Sequence, residues 1–225
     1  MFRCLYVVFE CENFNLRISH THTILKQVEM FDRAPSFDAR MSLLRFVNIR
    51  KRELFKLDGQ HFEWGLLLFH RVAVLNSRTA NELSQSLEDS DDRERSNVMR
   101  KPLSLEIEAS ALRSTMRYCR TFLVNHFETT EDEDLKLLKK DGLMMEFRQA
   151  VVYRVTKKRI VRNFLKVLQV MLDYVEALLS GDDDDDDSEV PKAALIERTK
   201  NLSNAYAFER WINSLSRCPR NLLSK

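Results

Sequence analysis

The sequence predicts a mainly α-helical protein, a multi-helix bundle with at most a small β-hairpin at its N-terminus. Three observations lead there. Only four glycines and four prolines occur in 225 residues, too few for the tight turns of an all-β fold or a Gly-rich nucleotide loop. Leu, Glu, Lys and Arg dominate, and these are good helix formers. Apolar residues recur at spacings of three and four along most of the chain.

The elements follow in order. "CLYVVFECE" and "NFNLRIS" are rich in β-formers and read as a hairpin with Asn13 between them. After Pro35, "SFDARMSLLRFVNIRKRELFKLDG" reads as one helix: Phe37, Met41, Leu44 and Val47 share a face and Gly59 ends it. "FEWGLLLFHRVAVLNSR" is apolar almost all round, which suits a buried helix or, as the alternative, a buried strand. "TANELSQSLEDSDDRERSNVMRKP" reads as a helix end followed by a loop.

From Ser104 the pattern sharpens. Leu105, Leu112, Cys119 and His126 recur every seven residues, and Ala109, Met116 and Leu123 fill the same stripe, so a long amphipathic helix spans about 105–127. "ETTEDEDLKLLKKDG" follows, with acids first, lysines last and a glycine to close. Thr130 is placed as N-cap with Glu133 as its capping-box partner. Glu131, Asp132 and Glu133 sit at the positive end of the helix dipole, and Lys139 and Lys140 at the negative end. Gly142 suits a left-handed position beyond the helix. One or two further helices run to Gly181, with a seam of Val161, Phe164, Leu168, Met171, Val175 and Leu178. That seam reads as the core of one bundle, with a dimer zipper as the alternative. Six aspartates, 182–187, repel one another and read as a flexible acidic linker. Pro191 opens a last helical segment with Leu195, Leu202, Tyr206 and Trp211 on one face. The expected organisation is an N-terminal segment (1–35), a helical domain (36–180), an acidic linker (181–190) and a C-terminal helical segment (191–225).

Several function classes are disfavoured. The formal net charge is only +2, so the chain as a whole is not an electrostatic nucleic-acid binder. Cys4, Cys11, Cys119 and Cys218 lack metal-ligand spacing and read as reduced thiols of an intracellular protein, cytoplasmic or nuclear. The N-terminal apolar stretch is about six residues, short of the roughly 7–15 of a secretory leader. No run approaches the ~18 apolar residues of a membrane span. His20 and His22 are two apart but lack companion ligands, so no metal site is expected. His126 reads as a packed histidine and not a catalytic base, and no nucleophile–base pattern stands out.

The run from Leu103 to Leu168 carries a resemblance. Ser104 and Glu108 open the long helix. Phe127, Thr129, Thr130, Glu133 and Asp134 form a Y-x-T-T-x-E-E-D-like turn. Ala150, Val151, Tyr153, Arg154, Lys158 and Ile160 follow an A-(I/V)-x-(Y/L)-R … K-x-I pattern. This resembles the C-terminal substrate-binding domain of the Rubisco large-subunit methyltransferase type of SET-domain protein lysine methyltransferases. "SLLRF", 42–46, is similar to that domain's early helix. The chain departs from the family pattern at "LMMEFR", and neither the aspartate tract nor the last segment is covered.

The resemblance implies protein methylation with S-adenosylmethionine as donor, carried out by a SET domain that precedes the helical domain. That chemistry needs a Gly-rich cofactor loop. No G-x-G occurs here, Asn125-His126 lies at the end of the long helix, and about 40 residues precede "SLLRF". The expectation is therefore a non-catalytic module that holds a protein substrate or partner peptide, without a cofactor of its own, and a fragment or partial product of a full methyltransferase. A helical adaptor is the alternative, and a nucleic-acid-associated protein the weaker one. The partner-binding candidates are Arg154, Lys157, Lys158, Arg162 and Lys166; with Arg159 they form a basic helix suited to acidic partners, against the plainer reading of a solvated face.

Overall fold

The computed structural model describes residues 16–19, 36–47, 49, 54–57, 60–180 and 186–220. Its elements are β1 (Leu16–Ser19), α1 (Phe37–Phe46), β2 (Leu54–Leu57), α2 (Trp64–Val74), α3 (Ser77–Glu88), α4 (Asp92–Arg100), α5 (Leu105–His126), α6 (Glu131–Leu138), α7 (Met145–Ser180), α8 (Asp186–Thr199) and α9 (Ala205–Leu215). The mainly helical bundle expected from composition is what forms.

Two long helices are the axis. α5 and α7 pack along each other and run antiparallel: Arg113, in the first half of α5, is bridged to Glu176 near the end of α7, while Phe127, just past α5, meets Lys158 in the first half of α7. The seam closes inside the chain: Val161, Phe164, Leu168, Met171 and Val175 are buried in the common core. On the other side of α5 lies α2, whose residues Leu66 to Val72 are all buried. This answers the helix-or-strand alternative in favour of a buried helix. Phe62, Trp64, Phe164, Phe208 and Trp211 form an aromatic seam with ring centroids 4.7 to 6.4 Å apart, which joins the start of α2 to α7 and α9.

Three local expectations are corrected. The segment after Pro35 is not one helix. α1 ends at Phe46, and Leu54–Leu57 forms a strand, because Phe55 and Leu57 alternate into the core with Lys56 between them. β2 pairs antiparallel with β1, Leu16 opposite Leu57. The partner of "LRIS" among the described residues is thus β2, and the first strand of the expected hairpin lies outside them. The stretch 77–100 is two helices in place of a helix end and a loop. The Asn76 side chain caps α3 by accepting from the Thr79 N–H (2.8 Å), and Asp91 caps α4 by accepting from the Glu94 N–H (2.7 Å). α6 stops at Leu138, so Lys139 and Lys140 lie just past its last turn; Gly142 does adopt a left-handed φ of 77°.

Residues beyond α7 complete the same core. Leu195, Phe208, Trp211, Ile212 and Leu215 are buried in it, and α8 already begins at Asp186, within the stretch expected as linker. The end of the described chain also caps α5. The carbonyls of Pro219 and Arg220 accept from the Leu105 and Glu106 N–H groups (3.0 and 3.3 Å), while Ser104 Oγ accepts from Ile107. These are donors that a helix start leaves without intrahelical partners.

Candidate functional site

The basic helix singled out by sequence is the first half of α7, and the acidic start of α6 lies against it. Asp134 is fully buried. Its Oδ1 accepts from Arg154 Nη2 (2.5 Å) and Thr129 Oγ1 (2.8 Å), and its Oδ2 from Lys158 Nζ (2.6 Å) and Arg154 Nε (3.3 Å). The buried Lys158 ammonium uses its three donors on Asp134, Thr129 Oγ1 (3.0 Å) and the Thr130 carbonyl (3.2 Å), and it sits 5.2 Å from the Phe127 ring centroid. One turn away, Glu131 accepts from Arg159 (2.8 Å) and Arg162 (2.7 Å). Thr130 caps α6 in a complete capping box with Glu133.

This explains the charge sorting of "ETTEDEDLKLLKKDG". Its acids are counter-charges for the next helix as well as partners for their own helix dipole. Burial alone would raise the pKa of Asp134, but the hydrogen bonds from Lys158, Arg154 and Thr129 outweigh it and the net shift is downward. Glu131 behaves alike: burial raises its pKa, and Arg159 and Arg162 together bring it below the ordinary range.

The predicted site residues therefore separate. Arg154, Lys158 and Arg162, with Arg159, are engaged by Asp134 and Glu131 in an α6–α7 clasp. Lys157 is buried, its ammonium 4.8 Å from the Tyr153 ring centroid. Lys166 lies beyond the clasp, exposed, in an open groove of about 650 Å³ between α7 and α8. Two features were not anticipated from sequence. One is that groove. The other is the start of α7, where residues 144–150 are all exposed, Met144 (73% exposed), Met145 (65%) and Phe147 (43%) among them, followed by Val152 (44%). Nothing in Met144-Met145-Glu146-Phe147 signals in the sequence that these apolar side chains lack cover.

A second charged network lies in the core. Arg71 on α2 makes a two-pronged pair with Glu108 on α5 (2.8 and 2.7 Å), both buried. Its remaining N–H groups reach the Met99 and Lys101 carbonyls, and Trp211 Nε1 donates to Glu108 Oε1 (2.7 Å). Of the two cysteines among the described residues neither suits nucleophilic work: burial pushes the Cys119 thiol up to about 12 and, as the main cause, that of Cys218 to about 11; Cys4 and Cys11 lie outside the described residues. Among the described residues no His/Cys/Asp/Glu group could hold a metal, and no helix is long and apolar enough to cross a membrane. His20 and His22 lie outside the described residues.

Comparison with known proteins places this geometry. The fold matches two solved structures at a TM-score of 0.53 and 15% identity, each over 72% of this chain and 34% of the other. One is the SET domain of LSMT bound to MeLysine and AdoHcy, and the other is Rubisco LSMT bound to AdoMet. The chain thus spans about a third of their length. No curated protein matches the chain. The family described as Rubisco LSMT substrate-binding matches residues 32–161, more than half of the 225, and that span holds α1 to α6, the clasp apart from Arg162, and the first turns of α7. The chain belongs to the Rubisco LSMT substrate-binding family.

Proposed function

We propose that this chain is a protein-substrate-binding module related to SET-domain protein lysine methyltransferases, and that it contributes docking and no chemistry of its own. Methyl transfer from S-adenosylmethionine would belong to a SET domain joined to it. The module would work inside the cell, in the cytoplasm or nucleus, where its thiols stay reduced.

The observation that carries the reading is the apolar surface at the start of α7. Met144, Met145, Phe147 and Val152 lie within the family-matched residues and are exposed, although each would be more stable covered. Flexible methionines and an aromatic ring suit a polypeptide segment that varies in sequence. The half-exposed guanidinium groups of Arg159 and Arg162 lie further along the same helix. Both donate to the same Glu131 carboxylate, which favours a protein partner over nucleic acid, whose phosphates would need a larger excess of free cations.

Two measurements test this. Calorimetric titration of the chain with S-adenosylmethionine should give no specific heat of binding; a saturable isotherm would overturn the non-catalytic assignment. A peptide array probed with the chain and with the Met145→Glu/Phe147→Glu variant should yield peptides bound by the first and lost by the second. An unchanged binding pattern would remove this surface from the docking site.

A further inference from the structure

We infer that the groove between α7 and α8 is a second docking site, and that its occupant is an acidic polypeptide segment. The groove lies beyond residue 161, outside the family-matched part of the chain, at mid-length on α7 and separate from the exposed apolar residues at the helix start. Its lining includes Lys166 and Val170 from α7, Ala194, Glu197 and Arg198 from α8, and Asn201 just past it.

Three features select the occupant. First, charge: Lys166 and Arg198 are exposed cations, whereas the carboxylate of Glu197 is held by Lys200 (2.6 Å). Gln169 Nε2 ties the nearby Asp173 (2.8 Å). The groove therefore presents a net positive, donor-rich wall. Second, shape: Val170 and Ala194, one turn from Lys166 and Arg198 on their helices, add apolar side chains of modest size to the lining, which lets a backbone approach. Third, continuity: Arg159 and Arg162 lead along the same helix toward Lys166, and with one Glu131 carboxylate for two guanidinium groups that row keeps a net positive charge.

The test is fluorescence anisotropy on the whole 225-residue chain with a labelled peptide of alternating Glu and Ala. The expected result is saturable binding that weakens with salt and falls about tenfold or more in Lys166→Glu/Arg198→Glu. Lys166→Gln/Arg198→Gln should fall less. Arg117→Glu/Arg120→Glu, which reverses two exposed arginines on α5, should leave binding unchanged. Absence of binding, or an equal loss in the α5 variant, overturns the proposal. So does tighter binding of a single-stranded oligonucleotide than of the peptide at physiological salt. Replacing the aspartates of 182–187 by asparagine should leave the affinity unchanged; a rise would make the tract itself the occupant and overturn the assignment of a partner. Met145→Glu/Phe147→Glu should bind this probe normally, so failure here and failure of the apolar docking surface are separately readable.

Discussion

Two charged networks hold this bundle together, and they sit in different dielectric surroundings. Arg71, Glu108 and Trp211 meet at the centre, with Arg71 and Glu108 at most 1% exposed, and join α2, α5 and α9. Asp134, Glu131 and four α7 cations meet at one end, where Arg154, Arg159 and Arg162 keep 35–56% of their side-chain surface in solvent. The first network has no route to water, so each partner is indispensable once the other is present. The second has rescue available to three of its four cations. The central network should therefore govern whether the fold exists, and the peripheral one how firmly α6 is held to α7.

The largest expected effect is at the centre. Glu108→Ala leaves a buried guanidinium with no counter-charge and a Trp211 N–H with no acceptor, and should cost about 3–5 kcal/mol in urea unfolding. The triple variant Arg71→Met/Glu108→Leu/Trp211→Phe removes charges and donors together and should recover most of that loss. If the triple is as unstable as the single, the network stabilises the fold outright and the contrast between the two sites fails.

Next comes Asp134→Asn, expected to cost about 2–3 kcal/mol, since Lys158 is buried but Arg154 can turn to solvent. The pH dependence separates this clasp from the core. Asp134 and Glu131 titrate lower in the folded chain than in the unfolded one. Their contribution is present above the unfolded carboxylate range near 4 and is lost as pH falls through it toward the folded values. Stability of the wild-type chain should drop across that window, and Asp134→Asn should flatten the drop. Hydrogen exchange in Glu131–Leu138 should rise first.

The clasp also shows what was legible in the sequence. The capping box of Thr130 and Glu133 was readable, because its partners are three residues apart. So were the α5 stripe, except that His126 ends it exposed with its ring stacked on Phe122, and the α7 seam, except for half-buried Leu178, since helical periodicity reports burial. The basic row was readable as a row, but the identity of its counter-charges was not: Asp134 meets Arg154 and Lys158 from 20 and 24 residues away, across a turn. The family motif hid the same thing. Glu108, Asp134, Arg154 and Lys158 all carry the resemblance, and all four serve internal scaffolding. The short strand at Leu54–Leu57 was missed because its partner lies far back in sequence, 35 residues at Ser19↔Leu54 and 41 at Leu16↔Leu57, and a four-residue alternation is weak against a helical neighbourhood.

A smaller effect tests whether α6 depends on its own ends or on α7. Thr130→Ala removes the N-cap oxygen and should cost about 1 kcal/mol. In the Asp134→Asn background the cost should shrink, because α6 is then already loosened; strict additivity would mean that cap and clasp act independently.

The smallest effect is expected where α5 and α7 meet at the end away from the clasp. Arg113 and Glu176 are only 2.6 Å apart, as close as Lys158 and Asp134, yet both are about half exposed. At equal distance the surroundings decide. Water already solvates Arg113 and Glu176 when apart, so a double-mutant cycle with Arg113→Ala and Glu176→Ala should give about 0.5 kcal/mol or less, fading at high salt. The matching cycle with Lys158→Met and Asp134→Leu should give a several-fold larger coupling that salt barely changes, since neither of those groups reaches solvent. Equal couplings would mean that proximity alone sets the energy, and that burial of the clasp adds nothing.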